Sequence, residues 1–235
     1  MEASARHLGS LRDRVRRAAR SQHEQMCAAM PAPSDLWSFA GTKKMWQRRT
    51  TDPDFGRVRV ATAVDQCVSE LPVAVPLKAF SRVSVSGPRE PVLGLARAML
   101  AHLVTFHHPS TLHVACRAAP GRAPEWEWLT WLPHTIGATL LAGELAARPP
   151  HRRPHLVVVL DDRAVSFVDR VPGVTVLDVS GFSAAVTACL ELVVDGERLG
   201  RRTDAGIMPV GSPDRLSRAQ AAFVARRLRS RDPAG

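Results

Sequence analysis

Near the start of the chain, apolar residues recur at three- and four-residue spacing: Leu8, Leu11, Val15 and Ala18 or Ala19. Residues 3–29 hold no proline and no glycine after Gly9, so the spacing predicts one long helix with a narrow apolar stripe. The stripe is too poor in large side chains to nucleate a core, and the helix is expected to lie against something else. Pro31 and Pro33 end it, and Ser34 or Asp35 is placed to cap a short helix over 36–39 anchored by Trp37, Phe39 and Trp46. After Asp52-Pro53-Asp54, alternation over 55–61 predicts a strand with Val58 and Val60 on one face, and a second strand follows around Val73 and Val75.

Strand and helix then take turns: strand 83–86, helix 91–106, strand 112–116, a tryptophan-rich segment, helix 138–147 and strand 155–160. Strand 174–179, helix 182–190, strand 192–194 with a tight turn at Asp195-Gly196, and a closing helix over 216–228 capped by Ser212 or Asp214 complete the pattern. An unbroken β-branched run such as Leu156-Val-Val-Val-Leu160 belongs to a strand buried on both faces. The expected fold class is therefore α/β, a mainly parallel sheet flanked by helices, with the long N-terminal helix appended.

At 235 residues and 45% hydrophobic content, one substantial core is within reach. No stretch approaches the roughly eighteen apolar residues of a membrane span, and a start bearing Glu2, Arg6 and Arg12 is no signal peptide. Cys27, Cys67, Cys116 and Cys189 form no C-x-x-C pair, which points away from a zinc ribbon or a disulfide scaffold and toward a reducing cytoplasm. The net charge of +10 comes almost wholly from arginine, since Lys43, Lys44 and Lys78 are the only lysines. Such an excess suits nucleic acid, an anionic membrane face or an acidic partner. With no tyrosine and 5% aromatic residues, a base-stacking nucleic-acid groove is not expected. Most of the charge sits at 6–20 and 215–231, where solvated helix faces and a specific anionic partner both remain open.

Chemistry gathers at two places. The segment from Phe80 to Leu100 is laid out as strand, glycine turn and helix, like a phosphate-binding loop. Counted from Gly87, however, the G-K-[ST] positions hold Val92, Leu93 and Gly94, so the lysine and the Mg²⁺-binding hydroxyl are missing. Gly87, Pro88, Arg89 and Glu90 are thus candidate contacts of a degenerate ATP site. Glu90 opposes an incoming phosphate unless Arg89 compensates; alternatively it favours the helix N-terminus itself. The second place is Asp161-Asp162, at the end of the buried strand, where an acid holds Mg²⁺ and its neighbour orients water in P-loop ATPases.

Other arrangements fall short. His107, His108 and His113 lack metal-ligand spacing, and Gly181-Phe-Ser-Ala-Ala185 is an incomplete nucleophile elbow with no histidine after His155. Trp126, Trp128 and Trp131 read as an extended stretch entering a helical turn stopped by Pro133, either buried under the sheet or forming an aromatic contact surface for a neighbouring domain.

Several motifs together resemble the cytoplasmic domain that follows the membrane helices in the EccC family, FtsK/SpoIIIE-type ATPases of actinobacterial type VII secretion. They are the basic helix before Pro31-Ala-Pro33, Leu36-Trp37, Met45-Trp-Gln-Arg-Arg49, Asp52-Pro-Asp-Phe55 and Val58-Arg-Val60. Gly87-Pro-Arg-Glu90, Gly94-Leu-Ala-Arg-Ala98, Trp126-Glu-Trp128, Trp131-Leu-Pro-His134 and 156–162 complete them. The resemblance implies a divergent RecA-like module on a stalk: stalk helix 3–30, linker 31–62 and α/β domain 63–230, either excised from a longer motor or a separate short protein.

It also implies a place at the cytoplasmic face of the plasma membrane beside EccB, EccD and EccE, in a hexameric motor. Arg12 and Arg16 of the stalk and the three tryptophans would then be partner contacts, each arginine near an anionic leaflet contributing about 1 kcal/mol. The expected function is a coupling domain with little or no hydrolysis. A weakly active ATPase using Asp161 and Asp162, and a basic DNA translocase domain, are the alternatives.

Overall fold

The computed structural model describes residues 2–63, 70–137, 154–163, 171–181 and 189–231, without the side chains of 2–13, 15 and 16. Nine strands form one sheet: β1 (Arg57–Ala63), β2 (Leu71–Pro76), β3 (Arg82–Ser86), β4 (Leu112–Ala118), β5 (His155–Asp161), β6 (Val174–Asp178), β7 (Cys189–Asp195), β8 (Arg198–Thr203) and β9 (Gly206–Pro213). Their order is β2-β1-β9-β8-β7-β3-β6-β5-β4. Pairing is parallel from β7 through β3, β6 and β5 to β4, and antiparallel from β7 through β8 and β9 to β1 and β2.

The sheet is therefore half antiparallel, not mainly parallel. The difference lies in β8 and β9, strands whose own residues carry little apolar alternation. Arg198, Arg201 and Arg202 are exposed and only Leu199 and Gly200 are buried, so the segment carries no apolar run, yet Asp195-Gly196 turns β7 back into β8 and the ladder continues. Through β9 the sheet also captures β1, within the segment expected to be a linker.

The helix α1 (Glu2–Ala29) precedes a 3₁₀ helix over Pro33–Phe39, which has no side-chain cap; Ser34 Oγ donates to Asp35 instead. The helix α2 (Arg89–Phe106) is buried from Val92 to Phe106, as expected of a helix that is mainly apolar all round. It packs on β1 and β3, and against Pro33–Phe39 and α3 (Arg218–Arg229). α3 starts later than expected and is capped by Ser217, whose Oγ accepts from Gln220 N while Gln220 Oε1 accepts from Ser217 N, rather than by Ser212 or Asp214. The expected helix over 138–147 lies outside the described residues. So do residues 182–188 of the expected helix 182–190, while Cys189 and Leu190 begin β7. None of the described helices is long and apolar enough to cross a membrane.

Two buried arginines hold the C-terminal end of α1. Arg48 Nη2 donates to Ala29 O at 3.0 Å and Arg59 Nη1 to Met30 O at 3.1 Å, supplying cations where a helix leaves carbonyls unbonded. Arg48 pairs with Asp54 and Arg59 with Asp214, each at 2.9 Å. The helix end is thereby tied to β1 and to the segment leading into α3.

Candidate functional site

The C-terminal ends of β3 and β5, with β6 between them, form the rim where open α/β sheets place their ligands. At β3 the turn is short: Gly87 and Pro88 alone separate the strand from Arg89, the first residue of α2. Val92 and Leu93, at positions where a phosphate loop would close, are inside the helix and 3% and 2% exposed. Pro88 and Pro91 have no N–H, so few backbone donors remain in the first turn. Gly87 has φ +137°, and a Cβ there would lie 2.1 Å from the carbonyl oxygen of Val194, so the end of β7 packs directly on the turn.

Arg89 and Asp161, 72 residues apart, meet across this rim. Arg89 Nη1 donates to Asp161 Oδ1 at 2.8 Å and Nη2 to Oδ2 at 2.5 Å, the bidentate geometry that makes arginine–carboxylate pairs strong. Arg122 Nη1 adds a bond to Oδ1 and Trp126 Nε1 one to Oδ2, both at 2.8 Å. The carboxylate, 0% exposed, thus receives four N–H bonds on about four lone-pair sites. Burial alone would raise the Asp161 carboxyl, but the hydrogen bonds from Arg89, Trp126 and Arg122 hold it below the ordinary carboxylate range. The bond with Asp161 in turn raises Arg89 above its ordinary value, against the opposing effect of burial.

Glu90 neither caps α2 nor faces an open cradle. It accepts from Arg97 Nη1 at 2.7 Å, and Arg97 Nη2 reaches Glu125 at 2.6 Å. Arg97 is 1% exposed, so this charge is compensated from both sides of an otherwise apolar helix. The remaining carboxylates of the rim also meet arginine: Asp162 lies 3.8 Å from Arg117 Nε, and Asp178 accepts from Arg82 Nη1 at 2.6 Å and from Ser180 N at 2.9 Å.

Of the expected site residues, Arg89, Asp161 and Trp126 are therefore brought together in direct contact, whereas Glu90 and Asp162 meet Arg97 and Arg117. With its acceptor positions filled by four donors, Asp161 does not fit as a Mg²⁺ ligand in this arrangement, and the described residues hold no cluster of three His, Cys, Asp or Glu suited to a metal. The tryptophan segment forms 3₁₀ turns over Pro120–Trp131 rather than an extended stretch, and its rings part company. Trp126 is buried and binds Asp161, Trp128 is in the core, and Trp131 is 41% exposed beneath Arg226 and Arg229. The side chains of Arg12 and Arg16 lie outside the described residues. His107 is structural: Nε2 accepts from Gly56 N and Nδ1 bonds Leu103 O. Arg97, Arg122 and Glu125 were not singled out by sequence; the one trace of Arg97 is a charge in the middle of an apolar helix.

No protein-family model matches the chain. Among curated proteins, the ESX secretion system protein EccC of Thermomonospora curvata is 30% identical over 295 residues, covering 95% of this chain and 22% of the relative. The ESX-4 secretion system protein EccC4 of Mycobacterium tuberculosis is 25% identical over 258 residues (94% of this chain, 21% of the relative). The ESX-1 protein EccCa1 of the same species is 27% identical over 289 residues (95% and 38%). The chain thus spans between about a fifth and two fifths of the length of these relatives.

Among solved structures, the cytoplasmic domain of the type VII secretion ATPase EccC of T. curvata superposes with TM-score 0.54 at 14% identity, covering 87% of this chain and 33% of that one. ATPases 2 and 3 of EssC from Geobacillus thermodenitrificans superpose with TM-score 0.52 at 11% identity (80% and 50%), a likeness of fold alone. From its matches along nearly its whole length, the chain is a homologue of EccC of ESX type VII secretion systems, with the fold of the EccC and EssC ATPase domains.

Proposed function

We propose that this chain is a coupling module of a type VII secretion motor, joining membrane helices to ATPase modules, in which an internal ion pair stands where a nucleotide site would be. The observation that carries the reading is the bidentate Arg89–Asp161 pair, reinforced by Arg122 and Trp126. Three further features point the same way. α2 starts too close to β3 to leave a phosphate loop, Leu93 occupies the position of the phosphate-binding lysine, and Val194 packs on Gly87. Coupling requires stiffness between parts, and Arg48 and Arg59 supply it where α1 meets the sheet.

In this reading residues 3–30 form the stalk, 31–62 a linker whose strand β1 is built into the sheet, and 63–230 the divergent RecA-like body. The stalk, with Arg12 and Arg16, runs toward the anionic inner face of the membrane and the cytoplasmic parts of EccB, EccD and EccE, and the motor assembles as a hexamer. A weakly active ATPase with Asp161 on Mg²⁺ and Asp162 orienting water requires both Arg89 and Arg122 to leave the carboxylate. Arg89 is the group that favours this second reading, because its side chain is 39% exposed and has room to swing out. Steady-state phosphate release by the purified chain with Mg·ATP is expected at background and unchanged in Asp161→Ala; turnover that this variant abolishes establishes the second reading instead.

A further inference from the structure

Two large aromatic side chains project into solvent side by side on the face formed by Pro33–Phe39 and α3. Trp37 is 44% exposed and Phe223 50%, with ring centroids 6.0 Å apart. Both are held from beneath: Leu36 is fully buried next to Trp37, and Ala221, Val224, Ala225 and Leu228 bury the opposite side of α3, which Ser217 and Gln220 cap. The rings border a groove of about 340 Å³ whose floor includes Pro33, Leu216, Ala219 and Val224. Among the described residues Ser34 and Gln220 supply its polar side chains, and none that line it is charged. A groove of this make-up suits apolar side chains and offers little to orient a polar metabolite.

Its border is basic. α3 contains Arg218, Arg226, Arg227 and Arg229 and no acid; Arg218 is paired with Glu127 at 2.8 Å, which leaves the other three. Arg226 follows Phe223 by three residues and so lies beside it on the helix surface. Arg226 and Arg229 stack over Trp131 at 5.0 and 5.7 Å, and neither has a carboxylate partner among the described residues. An apolar groove bordered by a packed aromatic pair, with cations along one side, complements an amphipathic helix with an apolar stripe and acidic flanks. A second copy of this chain is a poor occupant, because it brings the same positive charge to the face.

We propose that the Trp37–Phe223 groove docks an acidic amphipathic helix of a partner protein, with apolar side chains in the groove against the edge of the ring pair and carboxylates on Arg226 and Arg229. The face is remote in sequence from Asp161 and its use does not depend on nucleotide.

The test uses a fluorescent helical peptide of about sixteen residues, with leucine at helical spacing for the stripe and glutamate on its flanks. Controls are the same peptide with lysine for glutamate, the same peptide with serine for leucine, and a single-stranded oligonucleotide. By fluorescence anisotropy the glutamate peptide is expected to bind, and both peptide controls to bind at least about tenfold more weakly. Phe223→Ser and Trp37→Ser are expected to weaken binding about tenfold without changing the fold by circular dichroism. The double variant Arg226→Glu, Arg229→Glu is expected to reverse the preference in favour of the lysine peptide. Four results would overturn the proposal: absence of binding by the glutamate peptide, equal binding of the lysine peptide, tighter binding of the oligonucleotide on the same residues, or a dimer in sedimentation that Phe223→Ser dissociates.

Discussion

Arg89, the first residue of α2, holds both carboxylate oxygens of Asp161, the last residue of β5, at 2.8 and 2.5 Å. The pair closes the rim of the sheet between two strands that are not neighbours. Arg89→Ala leaves a buried carboxylate with Arg122 and Trp126 as its only side-chain donors, and is expected to cost about 1–3 kcal/mol. Because Arg89 itself is partly exposed, the lower half of that range is favoured. Urea denaturation of Arg89→Ala beside the unmodified chain measures it, and an unchanged midpoint would remove the pair from the account.

Gly87 is a sharper case. Any side chain there meets the Val194 carbonyl at 2.1 Å and must adopt φ +137°, so Gly87→Ala is expected to lose on the order of 2 kcal/mol or more. Gly121, where an added Cβ meets nothing within 4 Å, is the control. Gly121→Ala is expected to stay within about 0.5 kcal/mol by thermal unfolding.

These two positions show what a sequence can and cannot convey. β3, α2 and β5 were legible because apolar runs and a glycine turn are local signals, and Gly87 and Asp161 were legible as candidates for the same reason. Their relation was not. That Arg89 reaches Asp161 depends on β6 inserting between β3 and β5, a long-range choice with no local trace. β8 and β9 escaped because Arg201, Arg202 and Pro209 break the strand pattern, and pairing with β7 and β1 supplies what their own composition lacks. Nothing local marks Arg97 as buried, because its partners Glu90 and Glu125 come together only in the fold.

Stability is expected to fall in mild acid. Burial pushes His107 and His134 down to about 4 and His102 well below its ordinary value, so the unfolded chain takes up protons that the folded one refuses. Stability is complete above about pH 6.5 and is lost as pH falls toward about 4, by roughly 3 kcal/mol for each of His107 and His134. Asp214 works the other way. Burial raises it to about 6 in spite of Arg59, so its protonation stabilises the fold as pH drops through that value, by about 3 kcal/mol. With His155 also lowered to about 4 by burial, four histidines outweigh one aspartate, and the melting temperature is expected to drop between pH 6.5 and 4, with net proton uptake on unfolding. A melting temperature that rises over this interval would contradict the burial of the histidines.

The joint at the end of α1 predicts a local effect. Arg48→Met removes the donors to Ala29 O and Arg57 O, and the partner Asp54 is exposed enough to be hydrated. The expected cost is about 2–3 kcal/mol. Faster amide exchange over residues 24–30 than in β5 is expected by hydrogen–deuterium exchange, because β5 lies on the far side of the sheet. Uniform acceleration across the chain would mean that Arg48 stabilises the whole fold and does not act as a joint.

In the proposed function Asp161 is held by Arg89, Arg122 and Trp126 and takes no part in binding Mg·ATP. Isothermal titration of the purified chain with ATP in the presence of Mg²⁺, alongside Asp161→Ala, tests it most directly. No saturable heat is expected from either protein; saturable Mg²⁺-dependent binding that Asp161→Ala abolishes would mean that Asp161 serves a nucleotide site.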